Sequence, residues 1–452
     1  MFSNARITFP GFFTVSVVLY LFWALWQEFS IADTLYIVGV FGSFIYGIFI
    51  LLNNKWSVYF SHKIMYISLW IVFMFMAYNT SEYSLFQRTV KFFGVSMDTH
   101  SRIMVYMFLI LIPGMVFSEV FSYTSGKFFK VLVFSIIVTS LIFSLRAVIF
   151  SPDAIRARLT TEQMGNEEIL WGTPSYSIIY SLPIIVPWFL SKRAETKSGA
   201  KLFYTAMAAM IILLVAISQF ATAFVALLIG VVIYWILSND NDSGYMLRFI
   251  VVLVIVMMYL SREPLADLFV SLSEFARGSW SVKLKDLADS LRGVSATGDV
   301  AARADLYRDS WQAFLKSPIV GKLIGHETGI IGGHSSLLDI LAMTGIVGAG
   351  VFGFAIVWSY RQMREMAWNK KLTAAVIAST VAYVFIVCTK NTISAISINY
   401  TYFVLMPMLL MMRESYEDEP DIEELKELEE FDEFEDDNLV EPMEEDDERY
   451  FI

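Results

Sequence analysis

One cysteine, Cys388, stands in this chain of 452 residues, and it lies within an apolar run. It allows no disulfide framework and no cysteine-based metal site. Histidine is almost as scarce, with His62, His100, His326 and His334 as the only four. Charge is thin too: 17% of residues are charged, against about 25% in a typical soluble domain, while 56% are hydrophobic and 16% aromatic. The opening MFSNARITFP lacks a small-residue cleavage site and runs straight into an apolar segment, so a retained first span is expected rather than a removed signal peptide.

Acidic residues are sparse everywhere except at the C-terminus. Residues 414–452 hold 21 of the 44 acids and only two bases, Lys426 and Arg449, which accounts for the net charge of −11. The remaining chain has 31 basic and 23 acidic residues, a net +8. Such a basic body suits anionic lipid headgroups or an anionic lipid-linked substrate, and equally the loops on the cytoplasmic side. Nucleic acid is not an expected partner. The acidic segment reads as a solvating, disordered cytoplasmic tail, with docking of a basic partner as the alternative.

What the chain has in abundance is long apolar runs. Stretches of 16 to 22 residues recur, each able to cross a hydrocarbon core about 30 Å thick. They predict an all-α polytopic membrane protein with about twelve transmembrane helices. The expected spans lie near 9–27, 32–52, 64–79, 103–121, 129–150, 174–190, 202–218, 220–237, 247–261, 335–358, 372–388 and 394–412. Lys and Arg gather in alternate loops, such as Lys192, Arg193, Lys197 and Lys201, while the short turns EFSIAD and SQFAT carry none. The positive-inside rule therefore places both termini in the cytoplasm.

The expected organisation is nine spans within 1–261, a large extracytoplasmic loop at 262–334, three spans within 335–412, and the tail at 413–452. Further outer loops cover roughly 80–102 and 151–173. Within the large loop, Tyr307, Trp311, Phe314 and Leu315 recur at helical spacing, as do apolar residues of EPLADLFVSLSEF. Amphipathic helices lying on the outer face or capping a cavity are expected there.

Four histidines leave few candidates for acid–base chemistry. His62 in SHK and His100 in MDTHSR read as surface or interface residues, whereas loop-borne His326 could support a site. His334 sits where GGHSSLLDILAMTGIVGAG turns apolar. Nine residues separate His334-Ser335 from Gly345-Ile-Val-Gly348. Taken alone, Gly345, Gly348, Gly350 and Gly353 predict close helix packing, and a histidine at a helix start is more often interfacial than catalytic.

This H-[N/S/Q]-x9-G-x-x-G arrangement resembles the signature of the O-antigen ligase and polymerase family of bacterial membrane glycosyltransferases. Upstream, ARADLYRDSWQAFLKSPIVGKLIGHETG resembles that family's second hallmark, an arginine followed by an aromatic-rich helix and a Pro–Gly turn. Arg303, Trp311 and Ser317-Pro318-Ile-Val-Gly321 take those places. Two positions depart from the commonest pattern: Ser335 stands where many members have asparagine, and the turn SQFAT has Gln219 where members often carry an arginine.

The resemblance implies a GT-C-like enzyme of the bacterial inner membrane. Its donor would be a glycan on undecaprenyl diphosphate, and its acceptor a lipid or glycan hydroxyl at the periplasmic face. Membrane lipids and a chain-length regulator or other surface-polysaccharide assembly proteins would be its partners. His334 would act as the base, since a neutral imidazole suits proton removal near neutral pH. Arg303, with Arg156 or Arg158 from AIRARLTTEQMG, would hold the diphosphate through planar, always-charged guanidinium groups. Ser335, Asp339 and His326 are candidate supporting residues, while Arg308 and Arg292 are weaker phosphate candidates. No cofactor or metal is implied. Polymerase and ligase share these residues and both remain open. A lipid-linked glycan flippase is the alternative of another class, although neither an internal repeat nor a mid-membrane polar cluster supports it.

Overall fold

The computed structural model describes residues 62–80, 89–92, 95–98, 111–112, 114–115, 127–150, 176–196, 198–239, 262–275, 279–292, 299–325, 331–393 and 395–411. Among these the chain is helical apart from one short hairpin, β1 (Thr89–Phe92) paired antiparallel with β2 (Val95–Asp98). Helices α1 (His62–Thr80), α2 (Lys127–Phe150), α3 (Tyr176–Glu195), α4 (Ser198–Ile217) and α5 (Ala221–Ser238) precede the large loop. The expected spans at 9–27, 32–52 and 247–261 lie outside the described residues, as do most of 103–121, the loop at 151–173 and the acidic tail.

The large loop is helical, as its periodicity predicts. It contains α6 (Arg262–Phe275), α7 (Ser279–Leu291), α8 (Asp299–Lys316) and the single turn α9 (Ile319–Ile324). The C-terminal part follows with α10 (Ser336–Met366), α11 (Lys370–Thr389), α12 (Ile396–Tyr400), a π-helical turn over Thr401–Leu405, and α13 (Met406–Met411). The expected last span, 394–412, is thus an α–π–α element rather than one regular helix.

Four helices, α4, α5, α10 and α11, are long and apolar enough to cross a membrane. Their apolar residues also face outward. Leu202, Leu213, Leu228, Trp235, Ile346 and Phe354 are exposed, whereas Ser359, Ser379 and Asn399 are fully buried. Water would penalise that distribution; lipid tolerates it, because its tails are as apolar as leucine while buried polar groups still need partners.

Helix α3 forms the centre of the bundle, buried along most of its length despite Pro183 and Pro187. Helices α5 and α11 pack beside it through small residues: Ala374, Ala375 and Ala378 surround Tyr234. Removing side-chain bulk lets two helix backbones approach, which is how dispersion holds helices together in a bilayer. At the basic end, Asn369 caps α11 by accepting the Leu372 N–H at 2.8 Å, and its amide donates to Glu195 of α3 at 2.7 Å. Those two bonds clamp one end of the bundle and leave the other free to carry the loop helices.

Along the glycine-rich run of α10, Gly345 allows the close backbone approach that its spacing predicts and also breaks the helix, whereas Gly350 and Gly353 do not pack closely. Gly345 has φ 66 and ψ −170, so it breaks α10 into two helical segments. Only glycine adopts that backbone region without strain. The break receives α9: a Cβ on Gly345 would lie 2.5 Å from the Leu323 carbonyl, and one on Gly325 2.0 Å from the Met343 carbonyl oxygen. Two stretches of backbone meet here with no room for a side chain. Gly350 and Gly353, by contrast, face open space, since a Cβ on either would meet nothing within 4 Å.

Candidate functional site

Helix α8 reveals its orientation through three residues at i, i+4 and i+7. Arg303 donates to Thr222 at the start of α5 at 3.4 Å, Tyr307 to the Thr389 carbonyl at the end of α11 at 3.0 Å, and Ser310 to Asp339 of α10 at 2.6 Å. The inward face of α8 is therefore polar. Of the stripe read from the sequence, Tyr307 faces inward, whereas Trp311 and Leu315 are 43% and 48% exposed. Periodicity identified the helix and left its buried face open, because hydropathy does not distinguish a core-facing stripe from one facing outward.

His334 lies in the turn that leads into α10, not within the helix. Ser335 caps the helix, accepting the Leu338 N–H at 3.3 Å, so its hydroxyl serves the backbone. Gly333, at φ 69, allows the sharp approach. Asp339 secures the turn from below: its Oδ1 accepts the Gly333 N–H at 3.3 Å, and Ser310 Oγ accepts the Gly332 N–H at 2.9 Å. Asp339 therefore acts on His334 through the backbone, directly at Gly333 and by way of Ser310 at Gly332, and the awkward i+5 spacing loses its importance.

One tautomer of His334 follows from the geometry. Its Nδ1 lies 3.1 Å from the Gly333 carbonyl oxygen, which can only accept. In the neutral ring the proton is therefore on Nδ1, and Nε2 keeps the basic lone pair. The His334 pKa is held below the usual 6.5, first by burial and next by the positive charge of Lys390. Arg303 lowers it further, while the backbone hydrogen bonds to Gly333 and Gly332 oppose the shift. The residue is thus a neutral imidazole across the physiological range.

His334 and Arg303 line the same cavity, of about 360 Å³, together with Tyr180, Thr222, Lys283 and Lys390. None of the described residues lining it is Asp or Glu. The two lysines went unnoticed in the sequence. Lys390 follows α11 and is drawn to His334 by Ser336, whose N–H and Oγ both donate to the Lys390 carbonyl, at 3.0 and 2.9 Å. Its Nζ lies 5.1 Å from the Tyr180 ring. Lys283 comes from α7 and donates to the Gln219 carbonyl. The SQFAT turn, which lacks the arginine common in the resembling family, thus has a cation brought to it by the loop.

The other candidates divide cleanly. Arg308 pairs with Asp305 one turn back, and Arg292 pairs with Asp267 and Glu263, so both are engaged in exposed ion pairs. Arg156, Arg158 and His326 lie outside the described residues. Among the described residues no group of three His, Cys, Asp or Glu side chains could hold a metal ion. Chemically, the cavity offers one neutral base and three cations from three separate elements, an arrangement suited to an anionic ligand undergoing proton transfer. Compared with known proteins, the sequence matches no family model and no curated relative.

Proposed function

We propose that this chain is a membrane glycosyltransferase that moves a glycan from an undecaprenyl-diphosphate carrier to an acceptor hydroxyl. It spans a bacterial inner membrane about twelve times, with both termini cytoplasmic, and works at the periplasmic face. The observation that carries this reading is the convergence of His334 and Arg303 on one cavity, with Lys283 and Lys390 beside them and no acid among the described lining residues. The motif resemblance names the substrate class.

In the reaction, the acceptor oxygen attacks the anomeric carbon of the donor sugar. The bond from that carbon to the diphosphate oxygen breaks, and the electron pair leaves with the lipid diphosphate. His334 Nε2 takes the acceptor proton. Arg303 and the lysines meet the negative charge that grows on the leaving group, where preorganised cations act more strongly than in water. No proton donor is required for a diphosphate that leaves as an anion. Polymerase is the preferred reading within this class, with transfer to lipid A–core by a ligase as its alternative.

Replacing His334 with Ala in the native host, followed by a lipopolysaccharide gel, tests the proposal. Loss of the ladder with one repeat surviving on the core indicates a polymerase, and loss of all O-glycan a ligase. An unchanged ladder from a stably produced variant overturns the catalytic role and leaves transport of the lipid-linked glycan as the reading to pursue.

A further inference from the structure

Lys390 and His334 belong to different elements, yet the fold joins them at two levels. Ser336, two residues beyond the histidine, holds the Lys390 backbone through two hydrogen bonds, and Thr392 donates to the same Ser336 hydroxyl. Both side chains then line one cavity. A loop placed only to connect two helices would not need this double attachment. We propose that Lys390 and Arg303 together hold the phosphate groups of an anionic ligand, and that filling this site makes His334 a stronger base.

The physical basis is the field acting on the ring. Positive charge on Lys390 and Arg303 disfavours a proton on His334, as burial also does. A diphosphate held between these cations cancels part of their field at the imidazole, so the ring takes a proton more readily. Among the described residues, the remaining titratable groups around the cavity do not offset this. Lys283 of α7 adds further positive charge, and Tyr176 and Tyr180 of α3 are phenols. Tyr307 of α8 gives its proton to the Thr389 carbonyl. Asp339 of α10 is a carboxylate of the histidine turn, and its Oδ1 accepts from Ser310 and the Gly333 N–H rather than pairing with a cation. Ligand charge is therefore the variable that sets the basicity of His334. The base becomes competent when the donor is in place, so proton transfer is suppressed while the site is unloaded.

This rests on the proposed reading only for the identity of the diphosphate; the coupling between anion and imidazole stands by itself. It is tested on the full chain in lipid nanodiscs, labelled with 13Cε1-histidine, with the His334 signal assigned from a His334→Gln spectrum. The probes are inorganic pyrophosphate and farnesyl diphosphate. Each should raise the His334 pKa by roughly one unit. In Lys390→Gln the pKa without probe should start higher, the ligand-induced shift should fall to less than half, and the Kd should rise about tenfold. Lys390→Arg should restore both, which a folding defect would not allow, and exposed Lys316→Gln should behave as the parent. A shift with farnesyl diphosphate alone supports the coupling and makes the lipid diphosphate its source. An unchanged Kd and an unchanged shift in Lys390→Gln overturn it. If the gel with His334→Ala is normal while the coupling is seen, the glycosyltransferase reading fails alone; loss of the ladder without any ligand-dependent shift refutes only the coupling.

Discussion

Ser310 donates its hydroxyl proton to Oδ1 of Asp339 across 2.6 Å, linking the helix that carries Arg303 to the helix that follows His334. Both residues are buried, Ser310 and Asp339 each at 1% exposure. Gly332 and Gly333 of the histidine turn are bonded to the same pair. The spacing between the proposed base and the proposed phosphate ligand is therefore set by one serine and one aspartate.

Ser310→Ala should accordingly cost about 1–3 kcal/mol in stability, because the Gly332 N–H and the Asp339 carboxylate each lose a buried partner. Polysaccharide production should fall as well. Asp339→Asn, which keeps an acceptor for Gly333, should be milder than Asp339→Ala. Thermal unfolding in detergent together with the gel measures both effects; an Asp339→Ala variant with parental melting temperature and full product would show that the turn is held by other means.

Gly345→Ala and Gly325→Ala should each destabilise strongly. The backbone strain alone is worth about 1–3 kcal/mol, to which the clash between α9 and α10 adds. Gly350→Ala, facing open space, should be neutral or slightly stabilising by its helix propensity. Melting temperatures of the three variants, compared under identical conditions, decide the matter.

Acidity should affect the protein through His334. Its folded pKa lies below 6.5, so the unfolded chain takes up a proton first as pH falls through that window. Stability contributed by this group is present above 6.5 and declines as pH drops toward the folded value. At low donor concentration, where the unloaded enzyme's pKa governs the rate, activity should keep its acidic limb below 6.5, and Lys390→Gln should move that limb upward. A pH series of glycan transfer by parent and variant, normalised to protein, reads the shift directly.

Arginine substitutions should sort by location. Arg303→Gln should abolish product or reduce it by at least about tenfold, consistent with loss of a charge-assisted phosphate contact. Arg308→Gln and Arg292→Gln remove exposed ion pairs worth less than about 1 kcal/mol and should leave the ladder intact. An equal loss in all three would mean that the net charge of the loop matters rather than the position of Arg303.

Much of the fold was legible in the order of the residues. Eight of the expected spans, from 64–79 to 394–412, fall on described helices, and four of those helices are long and apolar enough to cross a membrane, since a run of apolar residues has few other ways to satisfy its backbone there. The large loop was legible as helical for the same reason that its inner face was not. A period of 3.6 marks a helix whichever side is buried, so Tyr307, Trp311, Phe314 and Leu315 identified α8 while Arg303, Tyr307 and Ser310 face the interior. His334 and Arg303 were found through short motifs, which depend on local spacing. Lys390 and Lys283 carry no such spacing; the Ser336–Lys390 hydrogen bonds and the Lys283–Gln219 contact that place them join residues far apart in the chain.

The sequence by itself determined that the chain is apolar and helical, that its acids crowd into the last residues, and that an imidazole opens a glycine-rich helix. Tertiary structure decided that Gly345 is a helix break as well as a close backbone contact, that Asp339 reaches the histidine through Ser310 and backbone, and that three cations share one cavity with His334. The division has a physical cause. Hydropathy and backbone propensity act over a few neighbouring residues and are written in the order of the chain, whereas a site's charge depends on distances that exist only after distant helices have packed together.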